Sequence, residues 1–412
     1  MDSLPDICDL GQVIEPHLSG RLLCSYKTNS LTQPGDNYGS VLLSIRAQVQ
    51  RPDDELYEEL NLVAKVPPTD PKYWQFIQPE RTCLTENAVY KILAPALAAL
   101  QEEAGIPQAA NFDGFAQYYG SRTSLHPSCH LVDHHAILVL ENLRSSNYVP
   151  GQRLQPYDLS HTLMALRYMA QFHALPLALR LLKPHVFQEK IKPFFDKFDW
   201  HAAAPESKAI MKAETLEDIR KATNNNVELV SRVKLLSDEF FDFLAAPPNL
   251  PDGPFTSIIH SDFWINNLMF QYGPSGEPTH MKIIDFQTAQ YDSVVHDIIS
   301  FLLSSVDIPI LELHFEHMLG VYFKTFISCL AGVGAEVSGY SYEAFRAEVK
   351  RVAYIQVPHA LFMTRFILAE NVTTEQKEHR QLAELLKNTG SERICHRLNQ
   401  ILSIAEQFDI LY

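Results

Sequence analysis

Residues 258–270 read IIHSDFWINNLMF, apolar at both ends, with His260, Asp262, Trp264, Asn266 and Asn267 between them. Burying so many polar groups beside a strand is costly unless each finds a partner. The stretch therefore reads as a polar loop kept for its chemistry. A second run, HMKIIDF, ends at Asp285-Phe286. Asn and Asp oxygens are hard ligands, suited to a Mg²⁺ that keeps some of its waters and bridges phosphates. A third carboxylate that holds no metal could orient an attacking hydroxyl.

These groups need a scaffold that brings them together. NLMFQY and HMKIIDF, separated by GPSGEPT, read as an antiparallel hairpin. Asn267 is expected to start one strand and Asp285 to end the next, which places them side by side at one sheet end. Asp262 lies in the loop feeding that end. Upstream, VLLSIRAQV alternates Val41, Leu43, Ile45, Ala47 and Val49 with more polar residues, the period of a half-buried strand. LNLVAKV is a second strand, closed by Lys65 and stopped by Pro67 and Pro68. Leu84, Ala88, Val89, Ile92 and Leu93 recur at helical spacing, with Glu86 opening that helix and Pro95 ending or kinking it. AILVL (136–140) is a buried strand, and Glu141 ends it. NLRSSNYVPGQ (142–152) has the composition of a linker. Gly35 and Gly39 flank a turn before the first strand, which leaves backbone N–H groups free to approach phosphate. Beyond the linker the pattern is mainly helical, over 158–182, parts of 185–246, 294–305 and most of 310–408.

Composition limits the alternatives. The net charge is −15 over 412 residues. Residues 1–140 hold 9 Lys+Arg against 17 Asp+Glu, and the remainder 25 against 32. Both halves are acidic, which argues against a nucleic-acid partner, and no obligate protein partner is inferred. The opening MDSLPDICDL has neither a basic segment nor an apolar run, so no secretory signal is expected. The apolar stretches near 298–311 and 319–335 are broken by Asp307 and Lys324, so no membrane span is expected. Six scattered cysteines without a CxxC pair fit reduced thiols and a cytoplasmic location.

The order His260-x-Asp262-x4-Asn267, then Asp285-Phe286, is the spacing of protein-kinase-like phosphotransferases. Lys65 and Glu86 precede it as an ion pair would that aims an ammonium at the α/β-phosphates, and Glu141 stands where backbone groups would meet an adenine edge. The chain resembles the ecdysteroid kinase-like family, relatives of choline kinases and aminoglycoside phosphotransferases. The resemblance is carried by PGDNYGSVLLSI, LVAKVPP, TENAVYKIL, LVLENLR, MAQFHAL, IIHSDFWINNLMF, IIDFQ and HDIISFLLSS, across roughly residues 35–305. Within that resemblance, Trp264 and Gln287 are the letters that favour small-molecule over protein kinases.

The resemblance implies an α+β, two-lobed protein-kinase-like fold, with a small β-rich N-lobe (1–141), a linker (142–152) and a large, mainly helical C-lobe (153–412). It implies ATP and Mg²⁺ as cofactors. Asp262 would be the catalytic base, Asn267 and Asp285 the metal ligands, and Lys65 the phosphate contact positioned by Glu86. Gly35, Gly39, Ser40 and Glu141 would contribute to the nucleotide site, and His260 and Asp297 would brace the loop. Ser261 stands where the family usually has Gly, so a positive φ there would carry strain.

Only eleven residues separate Asp285 from Asp297, leaving little room for peptide docking. A small-molecule alcohol is therefore the expected acceptor. Phe187, Phe194, Phe195, Phe198, Trp200, Phe362 and Phe366 could line an apolar pocket, although each alone is more simply helix packing. The resemblance implies ecdysteroid hydroxyls or other lipophilic alcohols such as dietary toxins. A choline- or aminoglycoside-type kinase and a pseudokinase ligand-binding module are the alternatives. HPSCHLVDHH (126–135) is rich in zinc-type ligands but has no closed-site spacing. His173, on an apolar helical face, reads as a satisfied core residue.

Overall fold

Period-two burial organises the first 141 residues. The computed structural model describes residues 7–31, 40–53, 56–68, 74, 78–126, 131–197, 205–245, 253–368 and 392–411, with the backbone alone for 205–211, 240–245 and 366. Five strands form one antiparallel sheet: β1 (Leu22–Ser30), β2 (Val41–Gln50), β3 (Glu58–Val66), β4 (Tyr118–Arg122) and β5 (Ile137–Glu141), in the order β1-β2-β3-β5-β4. Leu43, Ile45, Ala47 and Val49 of β2 and Leu60, Leu62, Ala64 and Val66 of β3 are buried on one face. A short helix, α1 (Leu10–Ile14), packs into the same apolar cluster. The alternation in VLLSIRAQV thus reports the core face, as expected. β1 has no such signature, because its residues are exposed or half-buried along an edge, which is why the sequence pattern does not reveal it.

The helix of the first lobe begins earlier than its apolar spacing suggests. It runs as α2 (Pro79–Ala88), a wide turn at Val89–Leu93, and α3 (Ala94–Glu103). Pro95 lacks the N–H that would bond the carbonyl one turn back, and a π-type turn accommodates that loss without ending the helix. Glu86 consequently sits two turns inside the helix rather than opening it, so the helix dipole is not what places an acid there.

The rest is mainly helical, as expected. The principal helices are α4 (Leu159–Leu182), α5 (Pro205–Ala222), α6 (Val227–Ala245), α7 (Val295–Ser305), α8 (Ile308–Gly332), α9 (Tyr342–Val352), α10 (Gln356–Leu368) and α11 (Glu392–Gln407). The architecture is α+β, a β-rich first part and a helical second part. Asp158 caps α4, its carboxylate accepting the His161 N–H at 3.0 Å. Within the helices lies the hairpin, β8 (Leu268–Tyr272) against β9 (Pro278–Ile283), with Leu268 opposite Ile283. A two-residue strand, β6 (Val149–Pro150), pairs with β8. The segment between the sheet and the helices therefore docks on the hairpin. β7 (Thr256–Ile259) pairs with β10 (Gln290–Ser293).

Candidate active site

Lys65 is placed by strand parity. Its neighbours Ala64 and Val66 enter the sheet's core, so its side chain leaves from the opposite face. Leu138, directly across on β5, shares that face and joins the larger apolar cluster with α2 and α3. There Lys65 Nζ lies 2.6 Å from Glu86 Oε2 and 2.6 Å from Asp285 Oδ1. Burial alone would lower the ammonium pKa, but the two facing carboxylates outweigh it and hold Lys65 above its ordinary value. Burial pushes the Glu86 carboxyl up, with Lys65 opposing.

Asp285 and Asn267 meet at the hairpin end, although neither is within a strand. Asn267 closes a tight turn just before β8, and Asp285 follows β9 by two residues. The Ile284 N–H donates to the Asn267 carbonyl at 3.0 Å, which joins the two segments. Asp285 has φ 66°, a left-handed conformation that Asp tolerates better than most residues. The turn after it, Phe286–Thr288, abuts α2, with Phe286 edge-on to Tyr90 at 5.9 Å.

The loop from His260 to Asn267 is fixed from beneath. Asp297, near the start of α7, accepts the backbone N–H of His260 at 2.7 Å and of Ser261 at 2.8 Å. His173 Nε2 also reaches Asp297, at 3.1 Å, and the Tyr322 hydroxyl meets His173 Nδ1 at 2.8 Å. With Nε2–H given to a carboxylate, Nδ1 is the acceptor and Tyr322 the donor. Burial would raise the Asp297 carboxyl, but the hydrogen bond from His173 and those from the loop backbone keep it below the usual range. His260 Nε2–H donates to the Ile284 carbonyl at 2.9 Å, leaving Nδ1 to accept the Asp262 N–H at 3.3 Å. Burial lowers the His260 pKa, which suits this neutral tautomer. Ser261 has φ 65°, so the position does require the left-handed conformation and Ser carries the strain that Gly would not.

Asn267 Nδ2 donates to both the carbonyl and Oδ2 of Asp262, each at 2.9 Å. These bonds fix the amide so that Oδ1 is its acceptor atom. Burial and then the charge of Asp285 push the Asp262 carboxyl up to about 7, while Asn267 and Trp264 act in the opposite sense. Lys65, Glu86, Asp285, Asp262 and Asn267 thus form one connected polar group.

Ser40 is buried and lines a cleft with Lys65, Cys83, Glu86, Leu138 and Gln287. Gly35 and Gly39 lie outside the described residues. Glu141 ends β5, but its backbone N–H donates to the Gln117 carbonyl at 2.9 Å and its side chain accepts the Gln117 N–H at 3.0 Å. Phe187 and Phe195 are fully buried, and Phe187 stacks obliquely on Tyr291 at 5.6 Å, so packing accounts for both. Phe194 is half-buried against the core, and Phe362 is half-buried in α10. Phe198, Trp200 and the Phe366 side chain lie outside the described residues. Cys129 and His130 do too. Among the described residues no three metal-type ligands cluster, and no helix is long and apolar enough to cross a membrane.

Sequence reasoning placed His173 in the core correctly but missed its grip on Asp297. A His on the buried stripe of α4 and a Tyr on that of α8 were the available signals. It also missed the indole N–H of Trp264, which is buried without an acceptor in hydrogen-bonding geometry.

The model of the ecdysteroid kinase-like family matches residues 34–335, which include Lys65, Glu86, His173, Asp262, Asn267, Asp285 and Asp297. This chain belongs to that family. The family is one of small-molecule kinases. Among solved structures, the chain is similar to a Plasmodium vivax ethanolamine kinase, at 11% identity and TM-score 0.43, over 92% of this chain and 82% of that one. It is also similar to a GDP complex of aminoglycoside 2′-phosphotransferase IIIa, at 13% identity and TM-score 0.39, over 98% and 97%. A macrolide 2′-phosphotransferase from Brachybacterium faecium is similar at 12% identity and TM-score 0.35, over 94% and 99%. These are distant likenesses. No curated protein matches the sequence.

Proposed function

We propose that this protein is an ATP- and Mg²⁺-dependent kinase that phosphorylates a hydroxyl of an ecdysteroid or a similar lipophilic alcohol. The observation that carries the reading is the meeting of Lys65 with Glu86 and Asp285, 220 residues downstream, beside Asp262 and Asn267. The donor set fits a hard divalent cation: Asp285 offers a carboxylate beside the Lys65 ammonium, and Asn267, its Nδ2 committed to Asp262, presents its oxygen as acceptor. Asn267 and Asp285 would hold Mg²⁺, which would neutralise charge on the transferring phosphoryl group. A cation there would also offset the repulsion that Asp285 exerts on Asp262, favouring the ionised form of the base.

In this reading Asp262 orients the acceptor hydroxyl and takes its proton as the new P–O bond forms and the bond from the γ-phosphorus to the β-phosphate oxygen breaks. Lys65 steadies the phosphates, Glu86 aims Lys65, and Ser40, with Gly35 and Gly39 shortly before it in the sequence, covers them. Glu141 marks the strand end where adenine would bind, through its carbonyl, since its N–H is committed to Gln117. The nucleotide complexes named among the similar structures, GDP here and AMP for a spectinomycin phosphotransferase, are compatible with a nucleotide in this cleft.

A small acceptor is supported by the stretch after Asp285. Gln290–Ser293 is wholly buried as a strand against β7, so it offers no edge for a peptide. The test is ADP release with Mg·ATP and a panel that sets ecdysteroids and other lipophilic alcohols against choline and aminoglycosides. Turnover confined to choline or an aminoglycoside would overturn the acceptor class. Absence of ADP release with every acceptor would leave a ligand-binding module.

A further inference from the structure

The indole N–H of Trp264 is buried with no acceptor in hydrogen-bonding geometry. An orphaned buried donor is costly, and such groups are rare enough in folded proteins to require a reason. Its surroundings supply one. Trp264 lies two residues after Asp262, in a loop where His260 is paired with Ile284 and the Asp262 N–H, and Asn267 with Asp262. The ring packs on the main core, so the N–H cannot turn to solvent without breaking that packing. The nearby acceptor is the Asp262 carboxylate, which the indole already favours in its charged form. Catalytic hydrogen bonds are often long or misaligned in a free enzyme and tighten only in the working complex.

We infer that Trp264 is a positioning residue for Asp262: its indole N–H closes onto the carboxylate when nucleotide and acceptor are bound. Asn267 Nδ2 holds Oδ2 from one side, and Trp264 fixes the carboxylate's rotation from the other. The remaining lone pair is then directed at the acceptor hydroxyl. This rests on the kinase reading above for the role of Asp262, but the contact itself can be tested without turnover.

Trp264→Phe keeps the ring and deletes only the donor. The expected result is a 10- to 100-fold fall in kcat, on the scale of a lost orienting hydrogen bond, with KM for ATP changed less than twofold. Combined with Asp262→Asn, it should cost almost nothing further, because residues that act as a unit are non-additive. A full multiplicative loss, a selective rise in the ATP KM, or unchanged kcat would each overturn the assignment. Should Trp264→Phe fail to fold, the indole resonance decides. The chain has three tryptophans, so Trp74→Phe and Trp200→Phe assign the third ¹H–¹⁵N indole signal by elimination. That signal should move downfield when a non-hydrolysable Mg·ATP analogue and an alcohol from the panel are added to the wild type, and should not do so in Asp262→Asn. Identical behaviour of the two proteins would refute the contact even if the enzyme is an active kinase. The expected difference would support it even if no acceptor in the panel is turned over.

Discussion

The candidate site joins two apolar cores that are built differently. The smaller core lies on one face of the five-stranded sheet and contains Ala64 and Val66, the neighbours of Lys65. The larger contains Ala88, Val89 and Tyr90 just after Glu86, together with Phe263 and Ile265 of the His260–Asn267 loop and Leu268 of β8. The helix carrying Glu86 thus belongs, by packing, with the second part of the molecule. Arg81 on that helix also donates to the carbonyls of Phe194 at 3.2 Å and Ala289 at 3.3 Å. Lys65 is therefore the side chain that reaches from the sheet's core to acids anchored in the other core. The loop that starts at His260 is held by backbone hydrogen bonds to the buried Asp297 carboxylate, whereas Lys65 is held by charge. What positions a group by several short bonds in the dark should tolerate little change. What positions it by charge at a cleft should respond in a graded way.

Asp262→Asn is the largest expected effect and tests the rigid side. It keeps the shape and the loop, and should lower kcat by about 10²–10⁴-fold with Mg·ATP affinity retained. Single-turnover transfer with nucleotide binding measured in parallel checks this, and retention of most of the turnover would remove Asp262 from the role of base. Asp285→Asn should differ in kind, weakening Mg·ATP binding itself.

Lys65→Met tests the charged side. Loss of the ammonium should cost about 10²–10³-fold in kcat/KM, on the scale of one preorganised charge. Glu86→Gln should cost less, because Asp285 remains 2.6 Å from Lys65. If Glu86→Gln were as damaging as Lys65→Met, the ammonium would depend on the helix rather than on both acids, and the contrast between the two cores would fail.

His173→Gln probes the underside of the loop. It removes a ring that touches no proposed reacting group but links Tyr322 to Asp297. A fall of about 1–3 kcal/mol in stability is expected from the buried groups left without partners, seen as a lower midpoint in urea. A kcat loss of about tenfold with unchanged ATP KM should accompany it. Loss of stability with full activity would mean that the loop keeps its shape without this brace.

How much of this was legible beforehand follows the same division. The alternation in VLLSIRAQV and the spacing from His260 to Asp285 are local patterns, and they placed the sheet core and the loop correctly. The edge strand Leu22–Ser30 was missed because it has no buried face to impose a period. The start of the Glu86 helix was missed because its first turns, Pro79–Cys83, include exposed and half-buried polar residues and carry no apolar stripe. The brace from Tyr322 through His173 to Asp297 spans three helices. Its members look like ordinary core residues until tertiary packing brings them together. Of the aromatic residues weighed as acceptor lining, Phe187 and Phe195 are core, the packing role that the sequence favours for each one taken singly.

The smallest effect is expected at Ser261, where the rigid side departs from its own ideal. A φ of 65° costs an L-residue about 1–2 kcal/mol, and Ser261→Gly would release that. Gly also enlarges the freedom of the unfolded chain, which takes back about 0.5–1 kcal/mol. The net gain should therefore be about 1 kcal/mol or less, a rise in the thermal midpoint of about 2 °C or less for a chain of this length. Activity should stay within about twofold, because the Ser261 N–H, not its side chain, makes the bond to Asp297. A tenfold rise in kcat on Ser261→Gly would mean that the strain reaches Asp262 and that the loop is not held as firmly as its hydrogen bonds require.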